Sequence, residues 1–226
     1  MKLVLATRNR DKAREILAML EGLDLDVVTL ADFPAAPETV EDGETLEANA
    51  LKKAREACDH TGLSALADDT GLEVAALGGA PGVFAARYAG ERATYADNYR
   101  KLLAAMNDVP SSKRGARFRT VMALVLSSDD AARLARAASG HPEIALLGSG
   151  DHLMSEGILH GKIAMAASGD RGFGYDPVFV DSAHNRTLAE MTPDEKNRSS
   201  HRYRALLEMR EMLLRFGLVR EKESAR

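Results

Sequence analysis

Short apolar runs alternate with longer helical patterns along the first part of the chain, and this alternation most strongly constrains its fold. Lys2–Ala6, Asp26–Leu30 and Leu63–Ala67 have the length and apolar content of buried strands. Asp11–Glu21 and Thr45–Asp59 instead repeat apolar residues near the helical period. Because strands that alternate with helices are typical of α/β proteins, the sequence predicts an α/β fold.

The middle of the chain continues this alternation. The spacing predicts a helix at Tyr95–Met106 and a small helix at Asp129–Ala138. It predicts strands at Phe118–Leu126 and Glu143–Leu147, which are candidates for pairing with each other. No internal repeat or linker-like change of composition interrupts the pattern. We therefore expect one domain over residues 1–226, built as two lobes.

The C-terminal part of the chain predicts two helices and a tail. Thr192 and Glu195 have the spacing of a capping box, with a proline at the first helical position. The serine pair at 199–200 is expected to divide the helical pattern, which ends ahead of Gly217. Residues 218–226 are expected to form a frayed tail.

Charge and cysteine content narrow the functional classes. The chain has 226 residues and a net charge of -4, which excludes a surface that is basic throughout and suited to nucleic acid or anionic membrane. Cys58 is the only cysteine, so an intrachain disulfide is impossible and a reducing compartment is expected. The apolar run Val121–Leu126 falls far short of the roughly 20 residues that span a bilayer. We expect a cytoplasmic protein that binds neither nucleic acid nor membrane.

The turn after the first predicted strand is a candidate anion site. Thr7 and Asn9 lie between a strand and a helix, and Lys12 follows in the first helical turn. A helix N-terminus presents unpaired backbone N–H groups and a positive dipole end, which suit a phosphate. Threonine and asparagine also cap helices that bind nothing, so capping alone remains the alternative.

Two adjacent carboxylates follow the third predicted strand. We expect this strand to stop at Asp68 and Asp69, and ligands of α/β sheets bind at the carboxyl ends of strands. Neighbouring residues at a strand end point to opposite sides, so only one of the two can easily face a given ligand. That carboxylate could hold Mg²⁺ or take a proton from water. The alternative is a turn or helix-cap role.

The stretch Gly172–Pro177 combines two glycines with two aromatic residues. Such a loop allows close backbone approach and exposes a ring face, which suits a planar ligand such as a purine base. A packed turn is the alternative.

These stretches together resemble the inosine triphosphate pyrophosphatase family. The five matching motifs occur in family order and span nearly the whole chain: LATRNRDKAREI at Leu5–Ile16, GETLEANALKKA at Gly43–Ala54, ADDTGLEVAALGGAPGVFAARYAGE at Ala67–Glu91, GFGYDPVF at Gly172–Phe179 and AEMTPDEKNRSSHRYRAL at Ala189–Leu206. The resemblance implies hydrolysis of dITP, ITP and XTP to the nucleoside monophosphate and pyrophosphate, with Mg²⁺ as cofactor. It also implies a homodimer and an elongated two-lobed mixed sheet flanked by helices, with the active site in the cleft between the lobes.

The resemblance implies roles for individual residues. Asp69 matches the family's proton acceptor and Mg²⁺ ligand, and Thr70 matches a residue that touches substrate. Glu41 is expected to be the second metal ligand, with Glu38 as its rival. The triphosphate-binding turn comprises Thr7, Arg8, Asn9, Arg10, Asp11 and Lys12. The base-binding segment comprises Phe173, Gly174, Tyr175 and Asp176, and the remaining base and phosphate contacts come from Lys196, His201 and Arg202.

Two other functions are compatible with parts of this pattern. A module that senses purine triphosphates without hydrolysing them would keep the phosphate-binding turn but would not need Asp69. A related pyrophosphatase for pyrimidine or modified nucleotides would keep the phosphate site and change the base site. A side-chain donor such as Arg202 or His201 would favour the 6-oxo group of hypoxanthine and xanthine over the amine of adenine.

Overall fold

Strands and helices alternate along the chain in the computed structural model, which describes residues 1–138 and 151–222. Within these residues the strands are β1 (Lys2–Leu5), β2 (Asp26–Thr29), β3 (Ser64–Val74), β4 (Pro81–Gly82), β5 (Gly115–Val125), β6 (His152–Ile163) and β7 (Phe179–Asp181). The helices are α1 (Arg10–Leu20), α2 (Leu46–Thr61), α3 (Tyr95–Ala105), α4 (Ser128–Ala138), α5 (Pro193–Asn197) and α6 (His201–Arg215). The predicted strand at Glu143–Leu147 lies outside the described residues.

The described strands form one mixed sheet with the order β2-β1-β3-β5-β6-β7, and β4 pairs with β3. β1 runs parallel to both of its neighbours, β2 and β3. β4 runs antiparallel to β3, and β7 runs antiparallel to β6. The predicted α/β class is confirmed.

The chain divides into two units. The first comprises Met1–Asp69, Val121–Glu156 and Ala205–Arg226, and the second comprises Thr70–Thr120 and Gly157–Arg204. Each unit has its own apolar core. The core of the first includes Leu3, Leu5, Leu66, Met122, Leu124 and Met209, and the core of the second includes Leu72, Phe118, Phe179, Leu188 and Met191.

In the first unit, the order β2-β1-β3 determines where the helices lie. The chain passes from β1 through α1 to β2, and then returns through α2 past β1 to β3. Because crossovers between parallel strands are right-handed, connections in opposite directions place α1 and α2 on opposite faces of the sheet. The pairing of β1 with β3 ends at Leu5 and Leu66. Asp68 and Asp69 follow shortly after this pair on β3, so one of the two helices lies on each side of them.

The prediction that the third strand ends before Asp68 and Asp69 is wrong, because β3 continues to Val74. Charged residues usually end a buried strand, but each carboxylate here has a lysine ammonium within 3.1 Å. Pairing with a cation offsets much of the cost of burying a carboxylate. The expectation that the two side chains point to opposite sides is confirmed, since Lys12 on α1 contacts Asp68 and Lys53 on α2 contacts Asp69.

The C-terminal prediction is confirmed for the helices and wrong for residues 218–222 of the tail, whereas residues 223–226 of the predicted tail lie outside the described residues. The capping box forms, with Thr192 N donating to Glu195 Oε2 at 2.7 Å, and α5 and α6 are separate helices. Residues 218–222, however, are held in place, two by burial and the exposed remainder by backbone contacts. Leu218 and Val219 are buried, and Lys222 N donates to the backbone oxygen of Gly22 at 2.7 Å. Among the described helices, none combines the length and apolar character that crossing a membrane requires.

Candidate active site

The turn between β1 and α1 brings the predicted phosphate-binding residues together. Asn9 is the N-cap of α1, and its Oδ1 accepts from the backbone N–H groups of Asp11 at 3.0 Å and Lys12 at 3.2 Å. Thr7 Oγ1 accepts from Asn9 N at 3.2 Å. The cap fixes the direction of the first helical turn, whose positive dipole end favours a bound anion.

The charged residues of this turn differ in their surroundings. Arg8 donates through Nη2 to the backbone oxygen of Ala36 at 2.6 Å, which ties the turn to the loop that follows β2. Arg10 is exposed. Asp11 forms an exposed pair with Arg14, its neighbour on α1, at 3.3 Å. Arg8 and Arg10 are both exposed, but Arg8 is held by the backbone of Ala36.

A buried carboxylate, that of Asp68, holds the side chain of Lys12 in place. Its Nζ lies 3.1 Å from Asp68 Oδ2, and the Asp68 side chain is 0% exposed whereas that of Lys12 is 17% exposed. Because a buried carboxylate needs a nearby cation, Asp68 and Lys12 constrain each other's position. The partly exposed ammonium remains close to the N-terminus of α1.

Asp69 has two different partners on α2. Its Oδ1 lies 3.0 Å from Lys53 Nζ, and its Oδ2 accepts from Asn49 Nδ2 at 3.2 Å. Asn49 and Lys53 are four residues apart in a helix, so both side chains project from the same face toward β3. The carboxylate of Asp69 is 8% exposed and is held through both of its oxygens.

Lys53 connects Asp69 to the predicted second metal ligand. Its Nζ lies 3.0 Å from Glu41 Oε1 as well as 3.0 Å from Asp69 Oδ1. Burial lowers the pKa of Lys53, but the negative charges of Asp69 and Glu41 outweigh burial and raise the pKa above its ordinary value. Lys53 is therefore an ammonium ion at neutral pH, shared by two carboxylates.

The two carboxylates around Lys53 form an oxygen donor set that suits Mg²⁺. Mg²⁺ in proteins is commonly bound by one or two carboxylates, with waters and substrate phosphates completing the shell. Glu41 and Asp69 converge on one cation, whereas Glu38 is exposed on the same loop. Within the described part of the chain, no group of three or more histidine, cysteine or acidic side chains has the arrangement of a metal site. The donor set thus fits Mg²⁺ only as two protein ligands.

In the second unit, the predicted base-binding residues surround Phe173. Lys196 Nζ lies 4.5 Å from the centre of the Phe173 ring, and the Arg202 guanidinium carbon lies 5.7 Å from it. Tyr95 is a further neighbour, with 5.9 Å between the ring centres. Phe173 is half-buried, so part of its ring remains accessible among cationic side chains.

Asp176 organises this group. Its Oδ2 accepts from Phe173 N at 2.8 Å and from Lys196 Nζ at 2.6 Å. Gly172 makes this close turn possible, because it has a φ of +73° and a Cβ at this position would clash with the Asp176 carboxylate. Asp176 thereby links the backbone of the loop to the ammonium beside the ring.

Of the two aromatic residues in the predicted base-binding segment, only Phe173 exposes part of its ring. Tyr175 is 5% exposed and belongs to the core of the second unit. Its hydroxyl donates to the backbone oxygen of Ala85 at 2.8 Å, and burial raises the pKa of this hydroxyl above its ordinary value. The Tyr175 side chain is therefore an anchor for the loop and offers no ring face to a ligand.

Thr70, His201 and Arg202 are held by contacts within the second unit. Arg202 Nη2 donates to Thr70 Oγ1 at 3.3 Å, and Thr70 Oγ1 lies 2.7 Å from Thr120 Oγ1. His201 stacks on Phe118, with ring centres 4.5 Å apart and an interplanar angle of 17°. Both basic residues are buried, so their orientation is determined by packing and not by solvent.

The sequence interpretation missed Asn49, Lys53 and Thr120 as neighbours of the candidate site. A signal for the first two was present in the Gly43–Ala54 motif. The buried face of α2 is otherwise apolar. Two polar residues one turn apart, Asn49 and Lys53, interrupt it. Polar side chains on a buried helix face need partners, and a carboxylate pair follows in the next strand. Thr120 had no comparable signal, because threonine is common in strands.

A family model described as the Ham1 family matches residues 3–212. The chain belongs to the Ham1 family. A relative from Lactiplantibacillus plantarum, named dITP/XTP pyrophosphatase, is 46% identical over 207 residues, which are 92% of this chain and 92% of that protein. A relative of the same name from Geobacter sulfurreducens is 44% identical over 94% of this chain and 96% of its own length. These relatives confirm the resemblance that the five motifs indicated.

Solved structures of Ham1 proteins have the same fold. A HAM1 protein from Coxiella burnetii superimposes with a TM-score of 0.79 and 38% identity, covering 95% of this chain and 99% of that one. A nucleoside-triphosphatase / dITP/XTP pyrophosphatase from Mycobacterium abscessus gives a TM-score of 0.68 and 42% identity, covering 92% and 98%. The mixed α/β fold of this Ham1-family chain is therefore shared with its structural relatives.

Proposed function

We propose that this Ham1-family protein hydrolyses the deaminated purine nucleoside triphosphates dITP, ITP and XTP to the nucleoside monophosphate and pyrophosphate. The observation that carries the proposal is the position of Lys53, whose ammonium lies 3.0 Å from Asp69 and 3.0 Å from Glu41. A cation between two carboxylates is an arrangement for phosphoryl chemistry, and Asp69 directly follows Asp68, which holds Lys12 of the α1 N-terminal turn. The names of the relatives indicate the same reaction.

The triphosphate is assigned to the residues from Thr7 to Lys12. Cleavage between the α and β phosphorus atoms leaves pyrophosphate, whose charge must be balanced as it forms. The N-terminus of α1 supplies oriented backbone N–H groups, and Lys12 supplies a positive charge that Asp68 holds in place. These groups are fixed before substrate binds, so they stabilise the leaving group without further ordering.

Asp69 is assigned the role of proton acceptor for the attacking water. A general base must be correctly oriented, and contacts to both oxygens of a carboxylate restrain its orientation. Lys53 and Asn49 each contact one oxygen of Asp69. Lys53 remains charged at neutral pH, so it also keeps a positive charge beside the proposed proton acceptor.

Glu41 and Asp69 would hold a Mg²⁺ ion, since their carboxylates converge on one cation. When bound, Mg²⁺ would neutralise charge on the phosphate oxygens during the reaction. Chelation by EDTA is expected to abolish turnover, and added Mg²⁺ is expected to restore it.

The purine base is assigned to the residues around Phe173. The accessible part of its ring offers a stacking surface, and Lys196 lies beside it. A donor at the base edge, from Arg202 or His201, favours the 6-oxo group of hypoxanthine and xanthine. With adenine the same donor would face an amine, which leaves a buried donor without an acceptor.

A panel of nucleoside triphosphates tests the proposal. With Mg²⁺, the protein is expected to convert ITP, dITP and XTP to the monophosphate and pyrophosphate, with a much lower kcat/KM for ATP, GTP and pyrimidine nucleotides. Release of single phosphate contradicts it. Tight binding of ITP without any hydrolysis would support a sensor module, and a preference for pyrimidine or modified nucleotides would support a related pyrophosphatase.

Homodimer formation stays a prediction that rests on the family resemblance, and a cytoplasmic location stays a prediction that rests on the single cysteine. Light scattering on the purified protein tests the first, and cell fractionation tests the second.

A further inference from the structure

Asn49 is a fully buried polar residue in the middle of an otherwise apolar helix face. It is 1% exposed, and its side-chain amide is in contact with both a loop and a strand. Its Oδ1 accepts from Gly43 N at 2.8 Å, and its Nδ2 donates to Asp69 Oδ2 at 3.2 Å. Burying an amide is unfavourable unless its hydrogen bonds are made, and both ends of this one are used.

The backbone of Gly43 determines which way the amide faces. The Gly43 N–H can donate only to the oxygen of the Asn49 amide, so the NH₂ group is turned toward Asp69. The approach is close, because a Cβ at position 43 would lie 2.6 Å from Asn49 Oδ1. Glycine at this position therefore allows the loop to reach the amide, and the loop in turn orients the amide.

The same loop carries Glu41, two residues before Gly43. One amide is thus bonded directly to Asp69 and, through Gly43, to the segment that positions Glu41. We infer that Asn49 is a positioning residue that holds the carboxylates of Asp69 and Glu41 in the arrangement needed for metal binding and water activation. The inference deepens the proposed pyrophosphatase function and rests on it. Partners that orient metal ligands commonly matter by about 10- to 100-fold in affinity or activity.

Two substitutions test the hydrogen bond to Asp69. Asn49→Asp keeps the shape and the acceptor for Gly43 N but puts a carboxylate oxygen, which repels Asp69, in place of the NH₂ donor. Asn49→Ala removes both bonds. Each variant is expected to lower kcat for ITP by about 10- to 100-fold while KM stays within about threefold, because binding of the nucleotide is assigned to other residues.

Asn98 provides a matched control in the second unit. It is a 2% exposed asparagine whose Oδ1 accepts from Ala89 N at 2.7 Å and whose Nδ2 donates to the backbone oxygen of Ala86 at 2.9 Å. It holds a loop as Asn49 does but contacts no carboxylate in these bonds. Asn98→Ala is expected to lower the Tm as Asn49→Ala does and to keep a kcat near that of the wild type.

A second measurement does not depend on turnover. Mn²⁺ binding to the free protein, followed by electron paramagnetic resonance, is expected to be about 10-fold weaker in Asn49→Ala than in the wild type. The inference requires both changes: a wild-type kcat or a wild-type Mn²⁺ affinity in Asn49→Ala overturns it. An equal loss of kcat in Asn98→Ala also overturns it. If the wild-type protein does not hydrolyse ITP, the proposed function fails, and the Mn²⁺ titration still decides whether Asn49 positions the carboxylates.

Discussion

The ammonium group of Lys53 lies 3.0 Å from Oδ1 of Asp69, and both side chains are almost fully buried. Two buried opposite charges at this distance stabilise each other, but removing one leaves the other without compensation. In this pair Lys53 also serves Glu41, so a single ammonium offsets two carboxylates. The candidate catalytic base is consequently tied to a cation that belongs to the protein itself.

Replacing Lys53 by methionine is predicted to lower kcat for ITP. Lys53→Met keeps the length of the side chain and removes the charge, so Asp69 and Glu41 would repel each other across the gap. We expect kcat for ITP to fall by about 100-fold or more, as is typical for removing a preorganised electrostatic group. Steady-state kinetics measure the effect.

Lys52 is the control for this substitution. It is the preceding residue on α2 and pairs with the exposed Asp42 at 2.6 Å. Exposed ion pairs contribute about 0–1 kcal/mol, so Lys52→Met is expected to leave kcat nearly unchanged. Similar losses in the two variants would contradict a specific role for Lys53.

The adjacent carboxylates of β3 are predicted to act on different kinetic parameters. Asp69→Asn removes the proposed proton acceptor and is expected to lower kcat by about 100-fold or more. Asp68→Asn instead releases Lys12 from its buried partner, which weakens binding of the triphosphate as well as stabilisation of the leaving pyrophosphate, so KM is expected to rise together with a smaller loss of kcat. Kinetics on both variants, with circular dichroism as a check of folding, measure the difference. A wild-type kcat in Asp69→Asn refutes the role of Asp69.

Local signals in the sequence were sufficient for much of the fold. The capping box at Thr192 and Glu195 was predictable because all of its hydrogen bonds lie within four residues. The helical period of α1 and α2 likewise depends on neighbouring residues. β6 was not predicted, because Gly157 and Gly161 interrupt its apolar alternation, and pairing with other strands compensates for them.

The candidate site was predictable only in part, for a related reason. Asp68 and Asp69 were recognisable as functional candidates, but they also indicated the end of a strand. The structure continues the strand because Lys12 and Lys53 reach them from opposite faces, and such long-range pairing is not visible in the local pattern. The burial of Tyr175 depends in the same way on Ala85, which lies 90 residues away in the chain.

The hydroxyl of Thr120 is predicted to affect the use of ITP through Thr70 and Arg202. Thr120→Val keeps the shape but leaves the Thr70 hydroxyl without its 2.7 Å partner, which loosens the acceptor of Arg202. We expect kcat/KM for ITP to fall by about 5- to 10-fold, in line with the loss of one buried hydrogen bond. Thr120→Ser keeps the hydroxyl and is expected to keep most of the wild-type activity. Equal kinetics in the valine and serine variants contradict this chain of contacts.

Stability is predicted to depend on pH through Glu195, which completes the capping box of the helix that carries Lys196. The Arg186 guanidinium and the Thr192 backbone N–H hold the pKa of Glu195 at about 2, against about 4.3 in an unfolded chain. Because the folded value is the lower one, the stabilisation is complete above the unfolded pKa and is lost as the pH falls toward the folded pKa. The difference in free energy of unfolding between the wild type and Glu195→Gln should therefore be constant above about pH 5 and shrink toward pH 3. Urea denaturation at several pH values measures this, and a constant difference down to pH 3 contradicts it.

The segment after Gly217 is predicted to contribute to the stability of the first unit. Leu218 is 1% exposed and belongs to the core that includes Leu3 and Met209, although its position near the end of the chain suggested a frayed tail. Leu218→Ala is expected to lower the free energy of unfolding by about 2–5 kcal/mol, because it leaves a cavity in a packed core. Leu207 on α6 is 38% exposed, and Leu207→Ala is expected to cost less than about 1 kcal/mol. Chemical denaturation of both variants measures the contrast, and equal costs would contradict a place for Leu218 in the core.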